Sequence, residues 1–299
     1  MNMKNKKTDN FLFGTHDHIV TDVDVNAIFI HKPDLRLSKE EMEVISRYGG
    51  IGGKKGLSLD EKMNGGALNE FFTPPIVCDV VASLARCFVA RTMEEPTCKV
   101  LEPSCGSGNM IAAVLRSKSK GERFTIDAYE YNELNCKIAR ALYELGDYSG
   151  CKQPHDTVVI RPGEFEQCLV ERSANDRRIS PIFGARDLKK QIKNKEYGEY
   201  DLVIGNPPYG KRMGSRYKID NTFMQNEFFF IYYGLLNLRK NGILAYVVPV
   251  NVLGSPFDGV YEKAKLKIAE IADLEFAMRL PSVFDKTNIP TDIIIMKRL

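Results

Sequence analysis

From Pro75 onward the chain alternates between short apolar runs and longer stretches of helical period, each closed by Gly, Pro or Asn. This rhythm constrains the fold more than any other feature. Pro75 to Arg91 has amphipathic helical spacing, and Cys98 to Leu101 is a short strand. Gly108 to Ser117 is a helix, Phe124 to Tyr129 a strand, and Leu134 to Leu145 a helix. Val158 to Ile160 is a third strand, followed by a helix over Phe165 to Glu171 and a fourth strand at Leu202 to Ile204. Gln225 to Leu238 is a helix, Asn241-Gly242 a turn, Ile243 to Val248 a fifth strand, and Tyr261 to Ile271 a helix. Such alternation builds a parallel sheet with helices on both faces. Leu274 to Leu280 and Asp292 to Met296 are expected to close it as an antiparallel pair. The predicted fold class is α/β: a doubly wound, mostly parallel sheet with a C-terminal antiparallel strand pair, preceded by an N-terminal arm.

The arm lacks a sustained period. Residues 1–37 are expected to be irregular, with alternation over Ile19 to Ile30 that suits a strand. Ser38-Lys-Glu-Glu41 is a capping box and predicts a helix from Lys39 to Tyr48. Gly49-Gly50-Ile51-Gly52-Gly53 stops that helix and opens a Gly/Lys-rich stretch through Gly66, a linker or a loop over the site. His16 and His18 have no cysteine or third ligand nearby in sequence, and no metal site is expected.

The fourth strand ends in Asn206-Pro207-Pro208-Tyr209. In open α/β sheets, ligands bind at the carboxyl ends of the strands. The set suits a planar amine. The Asn206 side-chain oxygen accepts an N–H, and Pro207 has no N–H to compete and a carbonyl to accept another. Tyr209 offers a face for stacking. Asn-Pro is also an ordinary turn signal, so the motif gains weight only from its company.

That company sits at the ends of the other strands. Leu101-Glu102-Pro103-Ser104-Cys105-Gly106-Ser107-Gly108 joins the first strand to a helix N-terminus, and its glycines allow close backbone approach to a ligand. It is neither GxGxxG nor a P-loop. An acid directly after the strand disfavours phosphate and favours a cationic or hydroxyl-bearing ligand. Glu130 ends the second strand, where a carboxylate can accept ribose hydroxyls or simply cap the next helix. Tyr131 follows it, positioned to lie against a base. Gly163-Glu164-Phe165 sets an acid and an aromatic at the end of the third strand. Phe71-Phe72-Thr73-Pro74-Pro75 precedes the first helix, with Thr73 as its expected N-cap.

Net charge is only +3, but residues 176–219 hold eleven lysines and arginines against five acids, a local excess of six. This stretch brackets Asn206–Tyr209 and includes Lys211 and Arg212. It suits a polyanionic substrate, or else a solvated loop face. No apolar run approaches the roughly 20 residues needed to span a bilayer. No apolar segment follows the basic N-terminus, and the seven cysteines are scattered with no CxxC, so a cytoplasmic, reduced protein is expected.

Taken in order, FFTPP, EPSCGSG, the Glu130 acid and NPPY resemble the amino-type DNA methyltransferases of the gamma order, which act on adenine N6. The YGGIGGK…GALNEFFTPP stretch also looks like methylase segments of phage and mobile-element proteins. The resemblance covers residue 45 to the end. It implies the methyltransferase version of the α/β fold, with a catalytic region over 69–299, an N-terminal region over 1–68 and a basic insertion at 166–200. It implies S-adenosylmethionine as cofactor. Thr73 and Pro74 would touch its methionine end, with Glu102, Ser104, Cys105, Gly106 and Gly108 lining the turn. Glu130 and Tyr131 would meet the ribose and base. Glu164, where the family more often has Asp, would accept the adenine amino group, with Phe165 alongside.

By the same resemblance the substrate is DNA. The target adenine would be flipped to Asn206, Pro207, Pro208 and Tyr209, with Phe284 packing the base and Lys211 and Arg212 on the nucleic acid. In that family a sequence-reading domain usually follows the catalytic domain, whereas this sequence ends at Leu299 soon after the last strand. Specificity is therefore expected from the arm, from the 166–200 segment or from a separate specificity subunit. Methylation of RNA bases or of a protein glutamine, and a non-catalytic SAM- or DNA-binding subunit, are the competing readings.

Overall fold

A computed structural model describes residues 19–50, 72–91, 96–163, 165, 198–210, 223, 225–254, 259–282, 284 and 289–299. The arm up to residue 18 with its two histidines, most of the Gly/Lys-rich stretch, nearly all of the 166–200 segment and all but the first residue of the helix expected over 165–171 lie outside the described residues.

The strands are β1 (Thr97–Glu102), β2 (Arg123–Glu130), β3 (Thr157–Pro162), β4 (Tyr200–Gly205), β5 (Leu238–Pro249), β6 (Ala272–Arg279) and β7 (Thr291–Arg298). They form one sheet in the order β3-β2-β1-β4-β5-β7-β6. The first five run parallel, and β7 is antiparallel to both β5 and β6. The expected closing pair is therefore present. The strand order turns back between β1 and β4, which makes their carboxyl ends the crevice of the sheet.

Alternate residues along each strand feed two cores. Val100, Leu202, Ile204, Ile243 and Ala245 pack on one face with Val81, Ala85 and Ile111. Leu101, Val203, Leu244 and Tyr246 pack on the other with Phe228, Tyr233 and Ile268. A strand buried on both sides carries an unbroken apolar run, which is why Leu202 to Ile204 is legible without alternation.

The helices are α1 (Asp22–His31), α2 (Lys39–Ser46), α3 (Pro75–Val89), α4 (Asn109–Arg116), α5 (Glu133–Ala139), α6 (Asn226–Leu236), α7 (Asn251–Gly254) and α8 (Gly259–Ala269). Among the described residues, no helix is long and apolar enough to cross a membrane.

The structure corrects several local expectations. Ile19 to Ile30 is not a strand: Thr21 and Asp24 form a reciprocal capping box, and Val25, Ile28 and Phe29 are buried at helical spacing. The alternation came from Asp22 and Asp24, which lie in the first turn of a helix, where Asp24 completes the cap with Thr21. Thr73 does not cap α3. Pro74 occupies the N-cap with no side-chain bond, and Pro75 starts the helix. The helix expected over 134–145 breaks at Ala139 into a π-helical turn, Arg140–Glu144, closed by the bond from Leu145 N–H to the Arg140 carbonyl. That turn brings the Glu144 carboxylate to the backbone N–H of Ile160, 2.9 Å away, on the edge strand β3. Asn241-Gly242 is no free turn. Asn241 has φ 60° inside β5, where the pairing with β4 jumps from Leu238 to Ile243.

Candidate active site

The loop after β1 is shaped by contacts that only its own residues allow. The Cys105 N–H donates to the Tyr129 carbonyl and the Gly108 N–H to the Cys105 carbonyl, both at 2.9 Å, so the loop curls over the end of β2. Gly108 is the N-cap of α4 in the left-handed region, φ 93°. A Cβ there would lie 2.5 Å from the Tyr143 ring, so glycine is required on both counts.

Glu130 clamps this loop from β2. One carboxylate oxygen accepts the Gly106 N–H and the other the Asn132 N–H, each at 2.7 Å. Asn132 in turn caps α5 through the N–H groups of Leu134 and Asn135. Glu102 ends β1 and is only 2% exposed. Burial, reinforced by the Glu130 charge, raises its pKa well above the carboxylate range, against a hydrogen bond from the Ser104 backbone. Its Oε2 is buried with no partner among the described residues. The Cys105 thiol is also pushed well up, by burial and then by the charges of Glu130 and Glu102. That makes it a poor nucleophile.

The loop after β4 meets the same place. Ser104 Oγ donates to the Asn206 backbone carbonyl at 3.4 Å. The Tyr209 hydroxyl donates to Asn206 Oδ1, with the Val247 carbonyl 3.2 Å away as a second acceptor. Burial, then the nearby Glu227 charge, raises the Tyr209 pKa, so its proton is held. Pro207 is buried and Pro208 exposed.

A cavity between the two loops is lined by Phe72, Thr73, Cys78, Glu102, Ser104, Cys105, Gly106, Ser107, Asn109, Met110 and Asn206. It gathers six residues of the sequence-derived set: Thr73, Glu102, Ser104, Cys105, Gly106 and Asn206. Glu130 adjoins it through Gly106. Pro74 lies outside this lining, at the start of α3. Tyr131 is 54% exposed and turned outward. Phe165 lies in the apolar core, 5.1 Å from the Phe230 ring. Phe284 is likewise a core residue on the other face. Glu164, Lys211 and Arg212 lie outside the described residues. Sequence reasoning missed Asn109, whose amide donates to the Thr73 carbonyl at 3.0 Å and ties α4 to the segment before α3. A polar residue opening an otherwise apolar helix after Gly-Ser-Gly was the available signal.

In chemical terms the cavity offers a backbone loop free of bulk, a buried Glu102 carboxyl oxygen with no partner among the described residues, and a second carboxylate beside it at Glu130. These are acceptors for hydroxyl and ammonium groups. At its rim stands an amide oxygen suited to an amine.

The family model described as Eco57I restriction-modification methylase matches residues 21–277. The modification methylase CviBIII of Paramecium bursaria Chlorella virus NC1A is 24% identical over 254 residues, 82% of this chain and 52% of that protein. The chain thus spans about half the length of this curated relative. Among solved structures, a protein from Listeria monocytogenes described as a class I S-adenosylmethionine-dependent methyltransferase superimposes with a TM-score of 0.57. It is 16% identical, and the match covers 88% of this chain and 69% of that one. The type I restriction-modification methyltransferase subunit from Streptococcus thermophilus gives a TM-score of 0.55 at 20% identity, covering 76% and 45%. These likenesses establish the fold.

Proposed function

The chain belongs to the Eco57I restriction-modification methylase family, and from that premise we propose that it transfers the methyl group of S-adenosylmethionine to the N6 amino group of a flipped-out adenine in DNA. One observation carries the reading. The Gly-rich loop after β1 and the Asn206–Tyr209 loop after β4 are joined at Ser104 and Asn206, and both line one cavity.

The residues present fit the cofactor. A carboxylate oxygen accepts more than one hydrogen bond, so the Glu130 oxygens can take ribose hydroxyls in addition to their two backbone N–H groups. Glu102 Oε2, without a partner among the described residues, suits an ammonium group, whose positive charge would oppose the burial that otherwise favours the protonated carboxyl. S-adenosylmethionine, when bound, supplies an electrophilic methyl group on a sulfonium.

The chain's own residues do the rest by positioning. An adenine amino group is out of reach in the stack, so the base is extruded to the β4 loop. Asn206 Oδ1, with one lone pair on the Tyr209 hydroxyl, accepts one N–H with the other, and the Pro207 carbonyl accepts the second. Those bonds strengthen as the nitrogen becomes tetrahedral, which is differential stabilisation of the transition state. Tyr209 stacks on the base. As the N–CH3 bond forms, the S–CH3 bond would break to leave a neutral thioether, and the cationic methylamino group then loses one proton to solvent, so no side chain with a shifted pKa is asked to act as a base.

The substrate reading brings DNA as partner, a separate specificity subunit as an option, and a cytoplasmic setting. The test is methyl transfer from radiolabelled S-adenosylmethionine to duplex DNA, single-stranded DNA, RNA and protein, with products digested to nucleosides. N6-methyladenine from DNA, lost in Asn206→Ala, is the expected result. Label confined to RNA or protein would overturn it.

A further inference from the structure

Helix α6 reads Asn-Glu-Phe-Phe-Phe-Ile-Tyr-Tyr-Gly-Leu-Leu, and Glu227 is its only charged residue. That side chain is 1% exposed. A buried carboxylate is costly unless its oxygens are matched. One oxygen of Glu227 accepts the Gly210 N–H at 2.9 Å, and the other accepts the Asn251 side-chain amide at 3.1 Å. The neighbouring Asn226 N–H donates to the Gly210 carbonyl at 2.9 Å. Gly210 closes the Asn206–Tyr209 loop, so the first turn of α6 grips that loop by both backbone groups of one residue. Asn251 opens α7 directly beyond β5. Its own Oδ1 is buried with no partner among the described residues, and its amide nitrogen is held by Glu227.

Among the described residues, both groups that face Glu227 are donors. A carboxylate accepts from both as they stand, whereas an amide at 227 could match them only if the Asn251 side chain turned over to present its Oδ1. The chain thus uses an acid here for a geometric reason: one rigid group bridges the loop after β4 and the segment after β5. We propose that Glu227 is a positioning residue for methyl transfer, fixing the Asn206–Tyr209 loop against the ends of β4 and β5. This rests on the reading of that loop as the amine-accepting site.

The experiment compares wild type, Glu227→Leu and Glu227→Gln, each first checked for folding by its thermal midpoint. Leucine is close in shape and accepts nothing, so it leaves the Gly210 N–H and the Asn251 amide unmatched. Glutamine keeps an acceptor for the Gly210 N–H, and the Asn251 amide can turn over so that its Oδ1 accepts the new N–H. Glu227→Leu is expected to lower kcat for adenine methylation by about 10-fold or more, since small misplacements are costly. The KM for DNA and the Kd for S-adenosylmethionine should stay within about 2-fold, as fits a loss felt mainly in the transition state. Amide exchange at Gly210 should speed up. Glu227→Gln should retain most of both rate and protection. Wild-type turnover or unchanged Gly210 protection in Glu227→Leu, or a Glu227→Gln variant as impaired as Glu227→Leu, would overturn the proposal. If Glu227→Leu does not fold, Asn251→Ala removes one arm of the bridge and must itself lower kcat. A wild type that methylates no adenine sinks the functional reading, while Gly210 exchange still decides whether Glu227 holds the loop.

Discussion

Gly205, the last residue of β4, lies so close to Glu102, the last residue of β1, that a Cβ on Gly205 would sit 2.6 Å from Glu102 Oε1. These adjacent strand ends carry the two loops of the candidate site, and the missing side chain at 205 is what lets them meet. Gly205→Ala should therefore overpack a buried carboxyl and cost about 1–3 kcal/mol of stability. Denaturant unfolding would measure it. Combining it with Glu102→Ala should recover part of the loss, because the clash is removed. Additive costs would mean that the two residues do not compete for space.

Glu130 makes the second test of this corner. Its two oxygens each accept a backbone N–H, from Gly106 and from Asn132. Glu130→Gln would set an amide NH2 against one of those donors, at about 1–3 kcal/mol for the group left unmatched. The Gly106 turn should loosen, and titration calorimetry should register about a 10-fold weaker affinity for S-adenosylmethionine, the equivalent of roughly 1.4 kcal/mol. Unchanged affinity would remove Glu130 from the cofactor site.

The Asn206 amide and the Tyr209 ring are separable by mutation. Asn206→Ala removes the acceptor and should lower single-turnover methylation by about 10²–10³-fold, the usual cost of one preorganised polar group. Tyr209→Phe keeps the ring and loses only the hydroxyl shared between Asn206 Oδ1 and the Val247 carbonyl. Its effect should be about 10-fold or less, the scale of one hydrogen bond. Equal losses in the two variants would contradict stacking as the main role of Tyr209.

What the sequence made legible follows from where local signals and tertiary needs agree. The apolar runs Leu202–Ile204 and Ile243–Val248 announce central strands because both faces are buried, and the Gly and Pro residues beyond mark the loops where the cavity forms. Glu102, Ser104, Gly106 and Asn206 come together because strand order puts the ends of β1 and β4 side by side, and Thr73 joins them through the bond from the Asn109 amide to its carbonyl. Phe165 and Phe284 are open in the sequence, because an aromatic beside a motif looks the same whether it faces a ligand or the core, and both pack in the apolar clusters. The helix at Asp22 was hidden by Asp22 and Asp24, whose spacing mimics a strand until Thr21 is seen as a cap. Glu227 left a visible trace, an acid inside an aromatic helix, but its partners Gly210 and Asn251 are distant in sequence and only the fold joins them.

Glu102 gives a pH-dependent prediction. Burial, then the Glu130 charge, raises its folded-state pKa well above the ordinary carboxylate value, while in the unfolded chain it returns to about 4.3. Between these values the folded state holds a proton that the unfolded state has lost. Stability from this group is therefore fully present below the unfolded pKa and is lost as pH rises through the folded pKa, by at most about 1.4 kcal/mol per pH unit. Glu102→Gln is neutral at every pH and abolishes that slope. Its urea midpoint should draw ahead of wild type progressively from about pH 5 to about pH 8, with the two proteins closest at the acid end. Midpoints that run parallel across this range would mean that Glu102 is already ionised in the folded protein, matched by a donor from outside the described residues.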